Sequence, residues 1–281
     1  MRSHQVMVGQ MRQAFPGIRV ISEENDSNLN GVDKPIAFAR LNRFNILPSL
    51  AALPDRSFPL TELVVWIDPL DATQEYTEGL VQYVTTMVCV AYKGQPVMGV
   101  VHKPFEKKMD SKSRWRSRLR PSRTQFETYW AWKDVGHSAS IQRLLKSRAQ
   151  QRANRMSSPS DLNIIVSRSH AGQVREKARQ AFDDRNIQIT QAGGSGYKTI
   201  ELIKGNADVY MHNTLIKKWD ICSPNVLVEE ISRSMPASFT DLHGKRIQFD
   251  ADQPLNKNGV FASIQQKHEQ LIQKYEQLDE N

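Results

Sequence analysis

Asp68, Asp71 and Thr73 stand in the string Trp66-Ile67-Asp68-Pro69-Leu70-Asp71-Ala72-Thr73. The apolar run Leu63 to Ile67 before them has the length and composition of a buried strand, and Pro69 is expected to end its ladder. Two carboxylates and a hydroxyl at the carboxyl end of a strand suit a hard divalent cation held over a crevice. That is the chemistry of a metal-assisted enzyme acting on a small charged substrate. Two more acidic residues stand at element ends: Glu23 after the short strand candidate Ile18 to Ile21, and Asp220 opening a helix. Oxygen-only ligands favour Mg²⁺ over zinc. Two such ions close together can clamp both the attacking water and the leaving oxygen of a phosphate ester. The expected site therefore has Glu23, Asp68, Asp71 and Asp220 meeting within a few ångströms. Ser195-Gly196-Tyr197-Lys198 at a helix start offers backbone N–H groups and a cation to a phosphate, and Lys217 and Lys218 add positive charge beside Asp220. Each piece alone has a plainer reading. Asp-Pro strings make turns, Glu23-Glu24 suits a solvated turn, Asp220 suits a helix N-cap, and Trp219 suits the core.

The elements that must position these residues alternate. Val8, Met11 and Phe15 are spaced for one face of a helix over Met1 to Phe15, ended by Pro16-Gly17. Asn25 to Phe58 reads as a long polar loop, with a helix near Ala37 to Leu41. Val84 to Tyr92 and Pro96 to His102 form a hairpin around Lys93-Gly94-Gln95. Phe105 to Ser160 lacks strand patterning and is expected to be mostly loop, with a helix over Ser140 to Asn154. Then come a strand at Asn163 to Arg168, a helix from Ala171 to Phe182 and a strand at Ile187 to Thr190. Gly193 to Gly196 opens a helix that Gly205 closes, and Ala207 to His212 is a strand. The helix from Asp220 carries Pro224 in its first turn. Phe239 to Phe249 suggests a hairpin around His243-Gly244. Val260 to Ile264 is the last strand, and Gln265 to Leu278 a solvated terminal helix. This alternation predicts a layered α/β architecture.

With 281 residues, 39% apolar and 24% charged, the chain can bury a sizeable core and is not wholly disordered. No run approaches the ~18 apolar residues of a membrane helix, and the start has no apolar signal core. The two cysteines, Cys89 and Cys222, sit in apolar strings and read as small buried side chains, not a disulfide framework. Of the net charge of +8, Lys103 to Arg155 carries +11 and the remainder −3. The basicity therefore belongs to one segment.

DPLDATQEYTE, YVTTMVCVA, GVVHKPF, IVSRSHAG, GGSGYK and KKWDIC together resemble the inositol monophosphatase-like superfamily of Mg²⁺-dependent, lithium-sensitive phosphatases. Ala72 and the string around it are most similar to its Golgi nucleotide-phosphatase branch. The resemblance implies an alternating αβαβα sandwich, a homodimer, and two or three Mg²⁺ ions. It implies Glu23, Asp68, Asp71, Asp220 and the Leu70 carbonyl as metal ligands and Thr73 as the water-orienting hydroxyl. It implies Ser167, Ser169, His170, Gly196, Lys198 and Lys218 around the substrate. The implied reaction is hydrolysis of the 3′-phosphate of 3′-phosphoadenosine 5′-phosphate to AMP and phosphate. Residues 1–160 would be the metal-binding part of one phosphatase domain, with a basic insert at about 106–160, and residues 161–281 its substrate-binding part. The branch implies the Golgi lumen, although the chain as given lacks a signal anchor and would be cytosolic if expressed so. Nothing in Met1 to Arg19 supplies the family's Ala-Asp string that helps activate water. A truncated chain that binds metal but turns over slowly is therefore expected. Other readings are an inositol (poly)phosphate phosphatase, an inactive phosphate-binding relative, or a nucleic-acid binder through Arg114 to Arg155. No specific nucleic acid is expected, because the insert reads most simply as a solvated basic loop.

Overall fold

A computed structural model describes residues 2–24, 50, 53–106, 125–154, 161–168 and 173–278. The expected helix at Ala37 to Leu41 and the basic string Lys107 to Arg123 lie outside the described residues.

Five layers build up in order, as the layered α/β reading requires. Helix α1 (Arg2–Ala14) lies outermost and leads into β1 (Arg19–Ser22). β1 edges a six-stranded sheet with β2 (Leu63–Asp71), β3 (Thr85–Tyr92), β4 (Gln95–Glu106), β5 (Gln125–Trp132) and β6 (Gly136–His137), in that spatial order. β1 and β2 are parallel and the rest antiparallel. β2 reads as a continuous apolar run because both its faces are covered. Val65 and Ile67 pack with Val8 of α1 on one side, and Trp66 enters the central core on the other. Lys93 and Gly94 both take positive φ in the β3–β4 turn, the geometry that matches strand twist in a tight hairpin.

Beyond a short helix α2 (Thr73–Thr77), three helices fill the central layer: α3 (Ala139–Asn154), then α5 (Ser195–Lys204) and α6 (Lys218–Ile231). Between them in sequence come β7 (Asp161–Ser167), α4 (Val174–Ala181), β8 (Asn186–Ala192), β9 (Val209–His212) and the two-residue β10 (Ile216–Lys217). β11 (Ala237–Thr240), β12 (Leu255–Asn256), β13 (Val260–Ile264) and α7 (His268–Glu276) complete the described chain. The second sheet has the order β11-β13-β9-β7-β8, and β10 pairs only with β12. Strand alternation splits the second sheet between two cores. Ile165 and Ala262 face the central helices, while Ile164, Val166 and Phe261 face α4 and α7.

Several expectations change. β2 runs through Pro69 to Asp71, with a bulge between Asp68 and Asp71. A bulge leaves a residue unpaired, so proline costs no ladder bond there. β5 forms where loop was expected, because it completes the hairpin edge of β4 and buries Tyr129 and Ala131. Phe239 to Phe249 is not a hairpin. β11 pairs with β13 instead, and the segment after it closes on the turn hydrogen bond from Asp241 N–H to Lys245 O (2.9 Å). α6 begins at Lys218, which puts Pro224 inside the helix and Asp220 in its first turn. The terminal helix is not wholly solvated, since Leu271, Ile272 and Tyr275 are buried.

Cys89 of β3 and Cys222 of α6 form a disulfide across 133 residues, with Cα atoms 5.7 Å apart. The expectation of two unlinked cysteines is corrected by packing: α6 lies against the inner face of the first sheet and brings the two side chains together. Arg148 of α3 is buried and holds the central layer to the second sheet. Its guanidinium donates to Leu202 O (2.6 Å), Ile264 O (2.8 Å) and Gln265 Oε1 (2.9 Å), with Asp208 at 3.6 Å.

Candidate functional site

Parallel pairing of β1 and β2 places their carboxyl ends side by side. Ser22 pairs with Ile67, and Glu23 N–H donates to Ile67 O at 3.1 Å, which sets Glu23 next to Asp68. Leu70 N–H then donates to Asp68 Oδ1 (3.0 Å), and the Thr73 hydroxyl donates to Leu70 O (2.9 Å). Between them Ala72 adopts a left-handed conformation (φ 67°) as the residue before α2. That conformation costs a non-glycine residue about 1–2 kcal/mol. It is the kind of backbone strain found where a chain must turn sharply at a site.

Asp71 is held from the other side of the molecule. Its Oδ1 accepts from Ser195 N–H (3.2 Å), and its Oδ2 accepts from Gly196 N–H (2.9 Å) and the Thr85 hydroxyl (2.8 Å). The first turn of α5 is thus capped by a carboxylate 125 residues away in sequence, and the helix dipole favours that negative charge. Gly196 is required by closeness, since a Cβ there would overlap the Thr85 hydroxyl. Lys198, one turn into α5, is 3% exposed and donates from Nζ to Gly194 O at 2.7 Å. At the opposite wall, Asp220 Oδ2 accepts from Lys217 N–H (3.2 Å) and closes the first turn of α6.

These groups share one pocket of about 510 Å³. Glu23, Asp68, Leu70, Asp71, Thr73, Ser167, Lys198 and Asp220 all line it. Carboxylates crowded in this way resist ionisation. Burial, then the charges of Asp71, Asp220 and Glu23, holds the Asp68 carboxyl well above its ordinary range. Burial, then Asp71 and Glu23, pushes Asp220 up to about 8. Glu23, although exposed, is raised by desolvation and by Asp71 and Glu24, against a hydrogen bond with Asp68 that lowers it. Burial lowers Lys198 to about 8 against the pull of Asp71, Glu75 and Asp220.

Asp68 Oδ2 is buried and accepts no hydrogen bond. An orphaned carboxylate oxygen among mutually repelling carboxylates fits a hard, oxygen-preferring cation. The side chains surround the pocket without closing into an ion cage. Among the described residues, no group of three or more His, Cys, Asp or Glu side chains is arranged to hold an ion as it stands. The four expected carboxylates do line one pocket, but not in an ion-ready arrangement. Both oxygens of Asp71 are turned to the start of α5 and to Thr85.

Two expected substrate contacts lie elsewhere. Gly196 is not on the pocket wall, and its N–H is taken by Asp71. Lys218 turns away, its Nζ 3.1 Å from Asp250 Oδ1, and it is Lys217 that lines the pocket. Ser169 and His170 lie outside the described residues. Thr85, Glu75 and Tyr210 were not foreseen. Thr85 holds Asp71. Buried Glu75 lines the pocket, with Arg168 Nη1 3.8 Å from its Oε1. Tyr210 donates its hydroxyl to Ser195 Oγ at 3.2 Å. Glu75 sits inside a string already singled out; Thr85 and Tyr210 carry no local signal.

Comparison with known proteins places the chain in a family. Residues 1–280 match the model of the inositol monophosphatase family. Inositol monophosphatase 3 of Danio rerio is 35% identical, over 100% of this chain and 72% of that protein. The Golgi-resident adenosine 3′,5′-bisphosphate 3′-phosphatase of Rattus norvegicus is also 35% identical, over 99% of this chain and 68% of that protein. A solved IMPase/NADP phosphatase complexed with Mg²⁺ and phosphate shares the fold, with a TM-score of 0.58 at 15% identity over 97% of this chain and 78% of that one. A match along nearly the whole chain, together with carboxylates gathered from both halves of the fold, makes this chain a member of the inositol monophosphatase family.

Proposed function

We propose that this phosphatase-family chain is a Mg²⁺-dependent enzyme that hydrolyses the 3′-phosphate of 3′-phosphoadenosine 5′-phosphate, releasing AMP and phosphate. The observation that carries the reading is the gathering of Glu23, Asp68, Asp71, Asp220 and Thr73 around one pocket. The string Asp71-Ala72-Thr73-Gln74-Glu75-Tyr76 and a 35% identical relative named for this substrate support the choice of nucleotide. The fold relative complexed with Mg²⁺ and phosphate supports the choice of cation.

Glu23, Asp68, Asp71, Asp220 and the Leu70 carbonyl are the groups that would hold Mg²⁺. Bound there, the ion supplies Lewis acidity toward the phosphoryl group and acidifies water, the main requirements of phosphoryl transfer. The chain's own residues do the positioning. Asp71 is fixed by three donors, so its carboxylate needs little reordering when charge develops beside it. The Thr73 hydroxyl gives its proton to Leu70 O, which leaves its lone pairs to accept from a water and orient it. Lys198, tied to Gly194 O, adds a buried positive charge to the pocket wall.

The Golgi lumen is the proposed compartment. Relatives named Golgi-resident support it, and so does the Cys89–Cys222 disulfide, which persists in oxidising compartments. Among the described residues no helix is long and apolar enough to cross a membrane. A second reading is an inositol monophosphate phosphatase, favoured by the equally similar relative of that name. Phosphate release with Mg²⁺ separates the two. The first reading expects kcat/KM for the bisphosphate nucleotide to exceed that for inositol 1-phosphate by about tenfold or more. The reverse order moves the assignment to the second reading, and no release from either substrate contradicts both.

A further inference from the structure

The site pocket has a rim that the proposed hydrolysis leaves unused. Leu215, β10 and Leu255 of β12 form its outer lip. Leu215 is 60% exposed, an unusual position for a large apolar side chain. Lys217 beside it is exposed, and its ammonium stands 5.5 Å from the centre of the Trp219 ring. The other lysine on the pocket wall among the described residues, Lys198, is buried and spends its ammonium on Gly194 O. Lys218 spends its own on Asp250. Glu23, Asp68, Asp71 and Asp220 line the pocket floor and are committed to the cation and the reacting phosphate, so among the described pocket-lining residues the lysine left for a ligand's additional anion is Lys217 at the lip.

We propose that Lys217 and Leu215 form an outer subsite that reads a second anionic group on the non-reacting part of the substrate. Leu215 gives the ligand's ring system an apolar surface, and the Lys217 ammonium pairs with a second phosphate. Lys217 thereby becomes a specificity-determining residue, favouring bisphosphorylated over monophosphorylated substrates. This rests on the phosphatase reading of the pocket and deepens it. A solvent-facing ammonium takes a phosphate as a point charge and without bidentate geometry, so the effect belongs to binding more than to turnover.

The test is the ratio of kcat/KM for adenosine 3′,5′-bisphosphate to that for adenosine 3′-monophosphate, in wild type, K217A and K217E. The ratio is expected to fall about two- to fivefold in K217A, mostly through KM, and to fall further in K217E. Added salt should lower the wild-type ratio but not that of K217A. An unchanged ratio in both variants overturns the inference, and so does an equal loss on both substrates. If the protein hydrolyses only inositol phosphates, the nucleotide assignment fails on its own. The same ratio is then read between inositol 1,4-bisphosphate and inositol 1-phosphate. If it turns over none of these, dissociation constants of the two nucleotides give the ratio, with the same expected and overturning outcomes.

Discussion

Two buried polar clusters in this chain are built on opposite terms. Around Arg148, each guanidinium nitrogen has a partner: Gln265 for Nε, Leu202 and Ala207 for Nη1, Ile264 for Nη2, with Asp208 balancing the charge. Around Asp68, carboxylates face one another, one buried oxygen accepts nothing, and Asp220 is pushed up to about 8. The first cluster is complete without help and ties α3, α5 and the second sheet together. The second is incomplete as protein alone. A satisfied buried charge does structural work, whereas an unsatisfied one marks where a ligand of opposite sign belongs.

The largest expected effect comes from breaking the completed cluster. Arg148→Met removes the counter-charge of Asp208 and a donor to three backbone carbonyls, and should cost about 3–5 kcal/mol in denaturant unfolding. A loss under about 1 kcal/mol would mean that the cluster is not the clamp described here. Cutting the disulfide should come next. Cys222→Ser, or reduction, frees a loop of 133 residues and should cost about 2–4 kcal/mol. A Tm that does not respond to reductant would count against the bond.

His268 gives a smaller, pH-dependent contrast. Its ring sits between Ser263 Oγ (2.8 Å) and Thr240 Oγ1 (3.0 Å), and burial lowers its pKa to about 4. The unfolded chain takes up this proton near pH 6.5 and the folded chain only near 4. Stability should therefore fall as pH drops through that window, by about 2 kcal/mol after allowance for partial exposure. His268→Gln should flatten that slope. An identical pH profile for the variant would assign the loss to other groups.

The fold was legible where burial writes a period into the chain. The apolar runs of β2, β3, β7 and β13 and the helix between Gly194 and Gly205 stand close to where residue pattern puts them. β5 was not legible, because Phe126 to Trp132 becomes a strand only through its pairing with β4. Asp68, Asp71 and Asp220 were legible as candidate site residues from type and position, and all three line the pocket. The partners of Asp71 were not, since Thr85 and the first turn of α5 reach it only after folding. Lys217 and Lys218 show the same limit on the smallest scale. Which of two adjacent lysines faces the pocket is decided by the turn from β10 into α6, and no local pattern records it.

Thermal unfolding against pH, with and without Mg²⁺, tests the incomplete cluster most directly. The raised pKa values of Asp68 and Asp220 mean that their carboxyls are held protonated at low pH. The destabilising charge of Asp220 should then emerge as pH rises from about 4 to about 8, and that of Asp68 adds in the same direction. In His268→Gln, where the opposing histidine contribution is removed, the metal-free protein should lose stability over that range. Mg²⁺ at a hundred times its dissociation constant should restore about 2.7 kcal/mol, and Asp68→Asn should abolish most of that gain. A metal-free His268→Gln profile flat in pH, with no Mg²⁺ response in the wild type, would contradict the account.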